Sequence, residues 1–220
     1  MPLLIHATSF SGASAIAVFL FAGIGGFLFL NTLYLQNVRG LSPLQAGLWT
    51  LPMALSMLVF APLSGRIMSH VGTRPSLVTG GAAMTIAGLM LTQMTRTTAP
   101  AYLFAAYAIF GVGSGLVNPP ITNTAVSGMP SAQAGVAAAV ASTSRQVGTT
   151  LGVAILGAVA ASGAAADFAT GTHPGWWIVV ALGLAVTLLG LVTTTSWAAK
   201  SAHRTAALFA EPAPIPVVSQ

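Results

Sequence analysis

Polar side chains within long apolar runs are the residues of this sequence whose types could do chemistry. Arg145 lies well inside such a run, directly before Gln146. A charge in an apolar helix costs several kcal/mol unless it faces a protein interior or a wet cavity, so a role in binding an anion, a carboxylate or a substrate is one interpretation. A hydrogen-bonding strut between helices is the other. Further amide and phenol groups with the same two interpretations are Asn31, Tyr34, Gln36 and Asn118.

Groups that could catalyse a reaction are scarce. The sequence has no cysteine, and its two acidic residues, Asp167 and Glu211, lie outside the apolar runs. The four histidines also lie at the ends of runs or between them, at positions His6, His70, His173 and His203. Paired carboxylates, a Ser/His pair and a set of metal ligands within one run are therefore missing. We predict a protein that is not an enzyme and that has no metal site and no cofactor.

The composition favours the lipid bilayer as the solvent of most of the chain. Of 220 residues, 55% are hydrophobic and 4% are charged, with a mean hydropathy of +0.86. About a quarter of the residues in an ordinary soluble domain are charged. The net charge of +5 could suggest nucleic acid, but the basic residues are dispersed along the chain, and a nucleic-acid-binding face would cluster them. We therefore predict no nucleic-acid partner.

Six apolar stretches reach the length of about 20 residues that a helix needs to cross a bilayer. They comprise residues 13–35, 46–68, 77–94, 101–122, 135–161 and 176–197. Buried helices of a soluble protein are the alternative, but such helices rarely repeat at this length without charged faces. The predicted fold class is therefore all-α, a bundle of six transmembrane helices joined by short connections.

The distribution of basic residues favours a cytoplasmic N-terminus, because basic residues are more frequent in cytoplasmic connections. With that orientation the inside segments hold Arg66, Arg74, Lys200 and Arg204. The outside segments hold Arg39, Arg96 and Asp167. We expect residues 1–12 to form a cytoplasmic segment and the proline-rich end, 198–220, to form a partly disordered cytoplasmic tail.

A specific string connects the first two predicted spans. It contains Tyr34-Leu35-Gln36, Gly40, the run from Ser42 to Leu48, and Leu51-Pro52. Gly40 permits a tight turn, Ser42 can cap the next helix and Pro43 fits a first helical turn. The complete string resembles the fourteen-helix drug:proton antiporter branch of the major facilitator superfamily, in which it joins the first two helices of the second six-helix bundle.

A second motif lies between the second and third predicted spans. Its residues are Gly65, Arg66, Ser69, His70, Gly72 and Arg74. They resemble the cytoplasmic loop motif of the same superfamily in its degenerate C-terminal copy. The family pattern has an acidic residue at the position of Ser69, and a serine cannot form an ionic latch between bundles. A basic anchor that sets the topology is the alternative function.

Two pairs of glycines predict close contacts between helix backbones. Gly111 with Gly115, and Gly148 with Gly152, each place small residues on one face of a helix. The family fold contains a 3+3 inverted repeat in each bundle. We do not detect that repeat in the sequence, because Pro52 and Pro62 of the second span have no counterpart in the fifth.

The resemblance implies the C-terminal half of a proton-coupled efflux transporter for drugs or other small molecules, in the plasma (inner) membrane of a bacterium. The implied partners are protons, a small-molecule substrate and an N-terminal six-helix bundle on a missing segment or a second chain. Because the predicted spans hold no carboxylate, the coupling group is expected in that other bundle. The alternative is a truncated, transport-inactive membrane module that needs a partner bundle.

Overall fold

A computed structural model describes residues 3–126, 134–163 and 172–193. The helices are α1 (Leu3–Leu33), a π-helical segment (Tyr34–Val38), α2 (Pro43–Trp49), α3 (Leu51–Val71), α4 (Thr73–Leu91), α5 (Pro100–Val126), α6 (Ala134–Gly163) and α7 (His173–Thr193). The described residues contain no strand, which confirms the predicted all-α class. The predicted tail, 198–220, lies outside the described residues.

Six of these helices have the length of a membrane span, and four segments are also apolar enough to be candidate spans. Those four are Gly12–Val38, Pro43–Val71, Pro100–Asn123 and His173–Val192. Helices α4 and α6 have 19 and 30 residues but a more polar composition, with Ser, Thr and Gly among their apolar residues. The bounds also differ from the prediction at the start of the chain, because α1 already begins at Leu3.

The second predicted span consists of two helices in succession. At the start of α2, Ser42 Oγ accepts a hydrogen bond from the Gln45 amide at 3.3 Å, and Gln45 Oε1 accepts one from the Ser42 amide at 2.9 Å. This capping box and Pro43 in the first turn start the helix as the sequence predicts. The chain turns at Thr50, and α3 then begins with Pro52 in its first turn, where a missing amide hydrogen costs nothing.

The long helices form two layers. Helices α3, α5, α1 and α6 pack side by side in that order, while α4 and α7 pack on each other and on one face of α5 and α1. The centre of the core is aromatic. Phe27 stacks on Phe110 with a centroid distance of 4.4 Å and meets the rings of Tyr107 and Trp176 edge-on at 5.5 and 6.0 Å. No helix of the described residues covers the opposite face of the four-helix layer.

The helix contacts have an approximate two-fold symmetry that relates α1, α3 and α4 to α5, α6 and α7. Under this exchange the pair α1·α6 becomes α5·α3, the pair α4·α5 becomes α7·α1, and α4·α7 is unchanged. All of these pairs are in contact. The bundle therefore has the inverted 3+3 arrangement that the resemblance implied.

The repeat, which the prolines of the second and fifth spans did not reveal, is visible in the third and sixth spans. The run from Gly81 to Leu89 in α4 and the run from Gly183 to Leu191 in α7 share a glycine, an alanine, a threonine, a glycine and a leucine in equivalent positions. The prolines of the second and fifth spans do not carry this signal, because the similar runs lie in the third and sixth spans, which contact each other. There, small residues are needed for close approach.

Candidate functional site

Arg145 joins three helices of the bundle. Its Nη2 donates a hydrogen bond to Thr122 Oγ1 of α5 at 2.5 Å, and its guanidinium carbon lies 5.6 Å from the centre of the Phe21 ring of α1. The side chain is half-buried, and its Nε has no hydrogen-bond partner among the described residues. These residues include no Asp or Glu, so no carboxylate among them balances the charge. Arg145 therefore forms a strut between α5 and α6, and its buried Nε is unpaired among these residues.

The glycines of α6 bring Arg145 to this position. A Cβ on Gly148 would lie 2.5 Å from the carbonyl oxygen of Val18 and 3.1 Å from Phe21 Cβ. A Cβ on Gly152 would overlap the carbonyl of Ala22. Only a helix with glycine at both positions can approach α1 so closely, and this approach places the guanidinium beside Phe21.

A cavity of about 380 Å³ lies beside this site, between α1 and α6. Most of its lining is apolar, and the residues are Val18, Ala139, Val140, Thr143, Ser144 and Val147. Ser144 precedes Arg145 in the chain and is buried. Arg145 itself does not line the cavity, so the cavity offers space for an apolar group only.

Asn31 and Tyr34 lie inside the bundle. Asn31 is fully buried, and its Oδ1 accepts a hydrogen bond from the hydroxyl of Tyr107 of α5. Its Nδ2 has no partner among the described residues. Tyr34 is also fully buried, and its hydroxyl donates to the carbonyl of Thr95 at 2.7 Å. Both side chains thus connect α1 to its neighbours within the protein.

The six predicted candidates form two separate groups. Gln146 is exposed next to Arg145, and Asn118 is half-buried one turn before Thr122, whose hydroxyl donates to the Asn118 carbonyl at 3.3 Å. Asn31 lies further along α1, and Tyr34 and the half-buried Gln36 lie in the π-helical segment that continues it. Ten residues of α-helix separate Phe21 from Asn31, or roughly 15 Å.

Arg39 has a role that the sequence analysis missed. Its Nη1 donates to the carbonyls of Arg96 at 2.9 Å and Thr98 at 3.0 Å, and its guanidinium lies 5.5 Å from the centre of the Trp49 ring. Gly40 follows with φ +67°, a conformation that favours glycine. Arg39 therefore holds the connection between α4 and α5 against the end of the first span. From the sequence, its charge indicated only the orientation of the chain in the membrane.

The loop motif forms the turn between α3 and α4. Ser69 Oγ donates to the carbonyl of Arg66 at 2.8 Å, and Gly72, with φ +90°, ends α3 so that α4 can begin at Thr73. Gly65 has open space around it. The side chains of Arg66, His70 and Arg74 are exposed. The motif thus combines a tight glycine turn with an exposed group of basic side chains.

The other predicted glycine pair lies between α5 and α3. A Cβ on Gly111 would overlap the carbonyl of Met53, and a Cβ on Gly115 would lie 3.1 Å from Met57 Cα. Both contacts involve the backbone of α3, so the two helices approach each other closely here.

A family model and several curated relatives match this chain. The family model described as Major Facilitator Superfamily matches residues 2–153. The "Multidrug resistance protein Stp" of Mycobacterium tuberculosis is 33% identical over 155 residues, which are 70% of this chain and 29% of that protein. The "Tetracenomycin C resistance and export protein" of Streptomyces glaucescens is 35% identical over 153 residues, which are 69% of this chain and 28% of that protein. The chain thus spans less than a third of the length of these relatives.

A solved structure supports the fold. A bacterial homologue of the human drug peptide transporters PepT1 and PepT2 superposes with a TM-score of 0.76 at 19% sequence identity. The match covers 92% of this chain and 48% of that chain. The described helices therefore have the architecture of about half of such a protein.

Proposed function

Because this chain belongs to the major facilitator superfamily and is a membrane protein of that family, we propose that it forms the second six-helix bundle of a drug or small-molecule efflux transporter. Export is coupled to protons, and a first six-helix bundle, on the same or a second chain, completes the path. The resistance and export functions that the names of its relatives state support this proposal. The proposed location is the bacterial plasma (inner) membrane, with both termini in the cytoplasm.

The observation that carries the proposal is the difference between the exposed faces of α7 and α6. The exposed large side chains of α7 are all apolar, as lipid requires, and comprise Trp177, Leu184, Leu188, Leu191 and Val192. Helix α6 exposes Val147, Leu151 and Ile155 on one side. Beside them it also exposes polar side chains at helical spacing, namely Ser142, Thr143, Gln146 and Thr150. Polar groups of membrane helices face protein or a water-filled cavity. We infer that this side of α6 faces the translocation path and the first bundle.

Arg145, Gln146 and Asn118 are the proposed contacts for the substrate or for a coupling carboxylate of the first bundle. The exposed amide of Gln146 can donate hydrogen bonds toward this side, and the half-buried guanidinium of Arg145 carries a charge that no described carboxylate balances. Gln36 is a candidate at the other end of α1. Asn31 and Tyr34 act by holding α1 against α5 and the α4–α5 connection, since both are fully buried.

The proton-carrying group is assigned to the first bundle. The only acidic residues of the chain, Asp167 and Glu211, lie outside the predicted spans. A coupled transporter needs a titratable group that changes its protonation within the membrane. The alternative function, a membrane module that is inactive without its partner bundle, is supported by the same fact.

Efflux of a fluorescent drug from a hypersensitive bacterium tests the proposal. The chain is expressed alone, and together with the first bundle of one of the resistance relatives, with and without a proton uncoupler. We expect uncoupler-sensitive efflux only when both bundles are present. Uncoupler-sensitive efflux by the chain alone would overturn the assignment of the proton site. If both bundles together restore efflux and the uncoupler does not reduce it, proton coupling is overturned. If both bundles are inserted and associated but no efflux occurs, the inactive module is favoured.

A further inference from the structure

The turn between α3 and α4 carries a compact group of basic side chains. Arg66 and His70 are four residues apart and share a face of α3, and Arg74 lies in the first turn of α4. Gly72, with φ +90°, allows the reversal that brings the two helix ends together. All three basic side chains are exposed.

The guanidinium groups of Arg66 and Arg74 have no counter-charge within the described residues, because those residues include no Asp or Glu. The other two arginines with described contacts are already engaged. Arg39 donates to two carbonyls, and Arg145 donates to Thr122. No side-chain hydrogen bond of Arg66 or Arg74 to a described residue is present, and Ser69 donates only to the carbonyl of Arg66. The guanidinium groups of this turn are therefore available to an external anion.

An apolar stripe on α3 leads directly to this group. Leu55, Val59 and Leu63 are 58%, 60% and 37% exposed, and they follow one another at intervals of four residues. Arg66 and His70 continue the same face toward the end of the helix. Beyond them, Val71 is 69% exposed. A face that changes from aliphatic to cationic at a helix end has the polarity profile of a phospholipid molecule, with its acyl chains and its headgroup.

We propose that Arg66, His70 and Arg74 form a binding site for the phosphate of an anionic phospholipid, whose acyl chains lie along Leu55, Val59 and Leu63. A guanidinium can donate two parallel hydrogen bonds to a phosphate, and the histidine ring adds a further N–H donor. The serine at position 69 leaves the site without the carboxylate that would repel the lipid. The proposal of this lipid site rests on the membrane location of the chain and is independent of its proposed transport function.

The test uses the full chain in lipid nanodiscs that contain equal amounts of phosphatidylglycerol and phosphatidylcholine. The lipids retained by the protein are counted by native mass spectrometry. We expect retained phosphatidylglycerol to exceed phosphatidylcholine. The Arg66→Gln/Arg74→Gln double variant should reduce this preference by roughly 30-fold, the equivalent of about 2 kcal/mol, at about 1 kcal/mol for each basic residue near a lipid surface.

Two control variants make the result specific. Arg96→Gln removes one positive charge at the opposite end of α4, and it should leave the preference unchanged. Arg66→Lys/Arg74→Lys retains the charges and should keep most of the preference, while circular dichroism reports whether each variant remains helical. Equal retention of the two lipids by the unaltered chain, or a preference that survives the double glutamine variant in a helical protein, would overturn the proposal.

Discussion

A hydrogen bond of 2.5 Å between Arg145 Nη2 and Thr122 Oγ1 joins α6 to α5. It is the contact through which the lone cation of these helices is held within the bundle. Nε is buried without a partner among the described residues and no described carboxylate balances the charge, so the strut leaves the guanidinium incompletely satisfied. The two interpretations that the sequence left open are therefore compatible in one residue.

Replacement of Thr122 by valine should weaken the bundle modestly, because it removes the acceptor for Arg145 and keeps the size of the side chain. Hydrogen bonds between membrane helices contribute about 0.6 kcal/mol on average and up to about 1.7 kcal/mol. We expect a loss of this size in the free energy of unfolding, measured by denaturation in detergent micelles. Thr122→Ser retains the hydroxyl and serves as the control. A valine variant as stable as the serine variant would show that the strut contributes nothing.

Replacement of Arg145 by glutamine should separate the strut from the ligand-binding role in the completed transporter. The glutamine carries no charge and is too short to reach Thr122 as Nη2 does, so the comparison with Thr122→Val, which loses only the strut, isolates the effect of the charge. We expect efflux to fall by about tenfold or more, which corresponds to about 1.4 kcal/mol, with unchanged protein in the membrane. Unchanged efflux would assign Arg145 to structure alone. Gln93→Ala, an exposed polar change away from the site, is the matched control.

Enlargement of Gly81 should disrupt the contact between α4 and α7. A Cβ at this position would lie 2.5 Å from Thr187 Oγ1 and 2.7 Å from the Thr187 amide nitrogen. Overpacking of this kind costs about 1–3 kcal/mol, so Gly81→Ala should lower the thermal unfolding midpoint. Addition of Thr187→Ala should not restore stability, because the backbone nitrogen remains in the way.

Gly65→Ala provides the comparison for that experiment, since nothing lies within 4 Å of a Cβ at that position. It should leave the unfolding midpoint unchanged or raise it, because alanine favours a helix by about 1 kcal/mol over glycine. Rescue of Gly81→Ala by Thr187→Ala would contradict the proposed backbone contact.

Asn31 and Tyr107 should behave as a coupled pair. Tyr107→Phe leaves the buried Asn31 Oδ1 without its donor, at a cost of about 1–3 kcal/mol. Adding Asn31→Leu removes the unpaired group, so the double variant should lose less stability than the sum of the single variants. Unfolding measurements on all four proteins of the cycle give the coupling energy. Strict additivity would exclude a significant hydrogen bond between them.

Removal of the Arg39 guanidinium should loosen the connection between α4 and α5. Arg39→Gln cannot make both hydrogen bonds to the carbonyls of Arg96 and Thr98 and loses the contact with Trp49. We expect faster hydrogen–deuterium exchange in the peptide that contains Thr95 and Thr98. Arg74→Gln, at the other end of α4, should leave that peptide unchanged. Equal exchange in both variants would show that Arg39 does not hold the connection.

Local signals in the sequence were sufficient for the individual elements. Hydropathy predicted six helices in an all-α membrane bundle, and the spacing of Ser42, Pro43 and Gln45 specified the start of α2. The glycine pairs of α5 and α6 marked helix faces suited to close approach. The motifs around Gly40 and Gly72 also indicated the family. Each of these signals depends on residues within a few helical turns, so it can be read from one stretch of chain.

Only the tertiary structure decided which helices meet and which polar groups become partners. Helical periodicity defines the face on which Arg145 lies but not the neighbour that covers it, so neither Thr122 nor Phe21 could be assigned as its contact. The repeated Gly and Thr positions of α4 and α7 were present in the sequence, yet their meaning depends on the pairing of helices far apart in the chain. For the same reason the six candidate residues appeared equivalent, although packing places them in two groups at different levels of the bundle. The physical cause is that contacts between helices depend on the fit of whole surfaces, which a single helix does not contain.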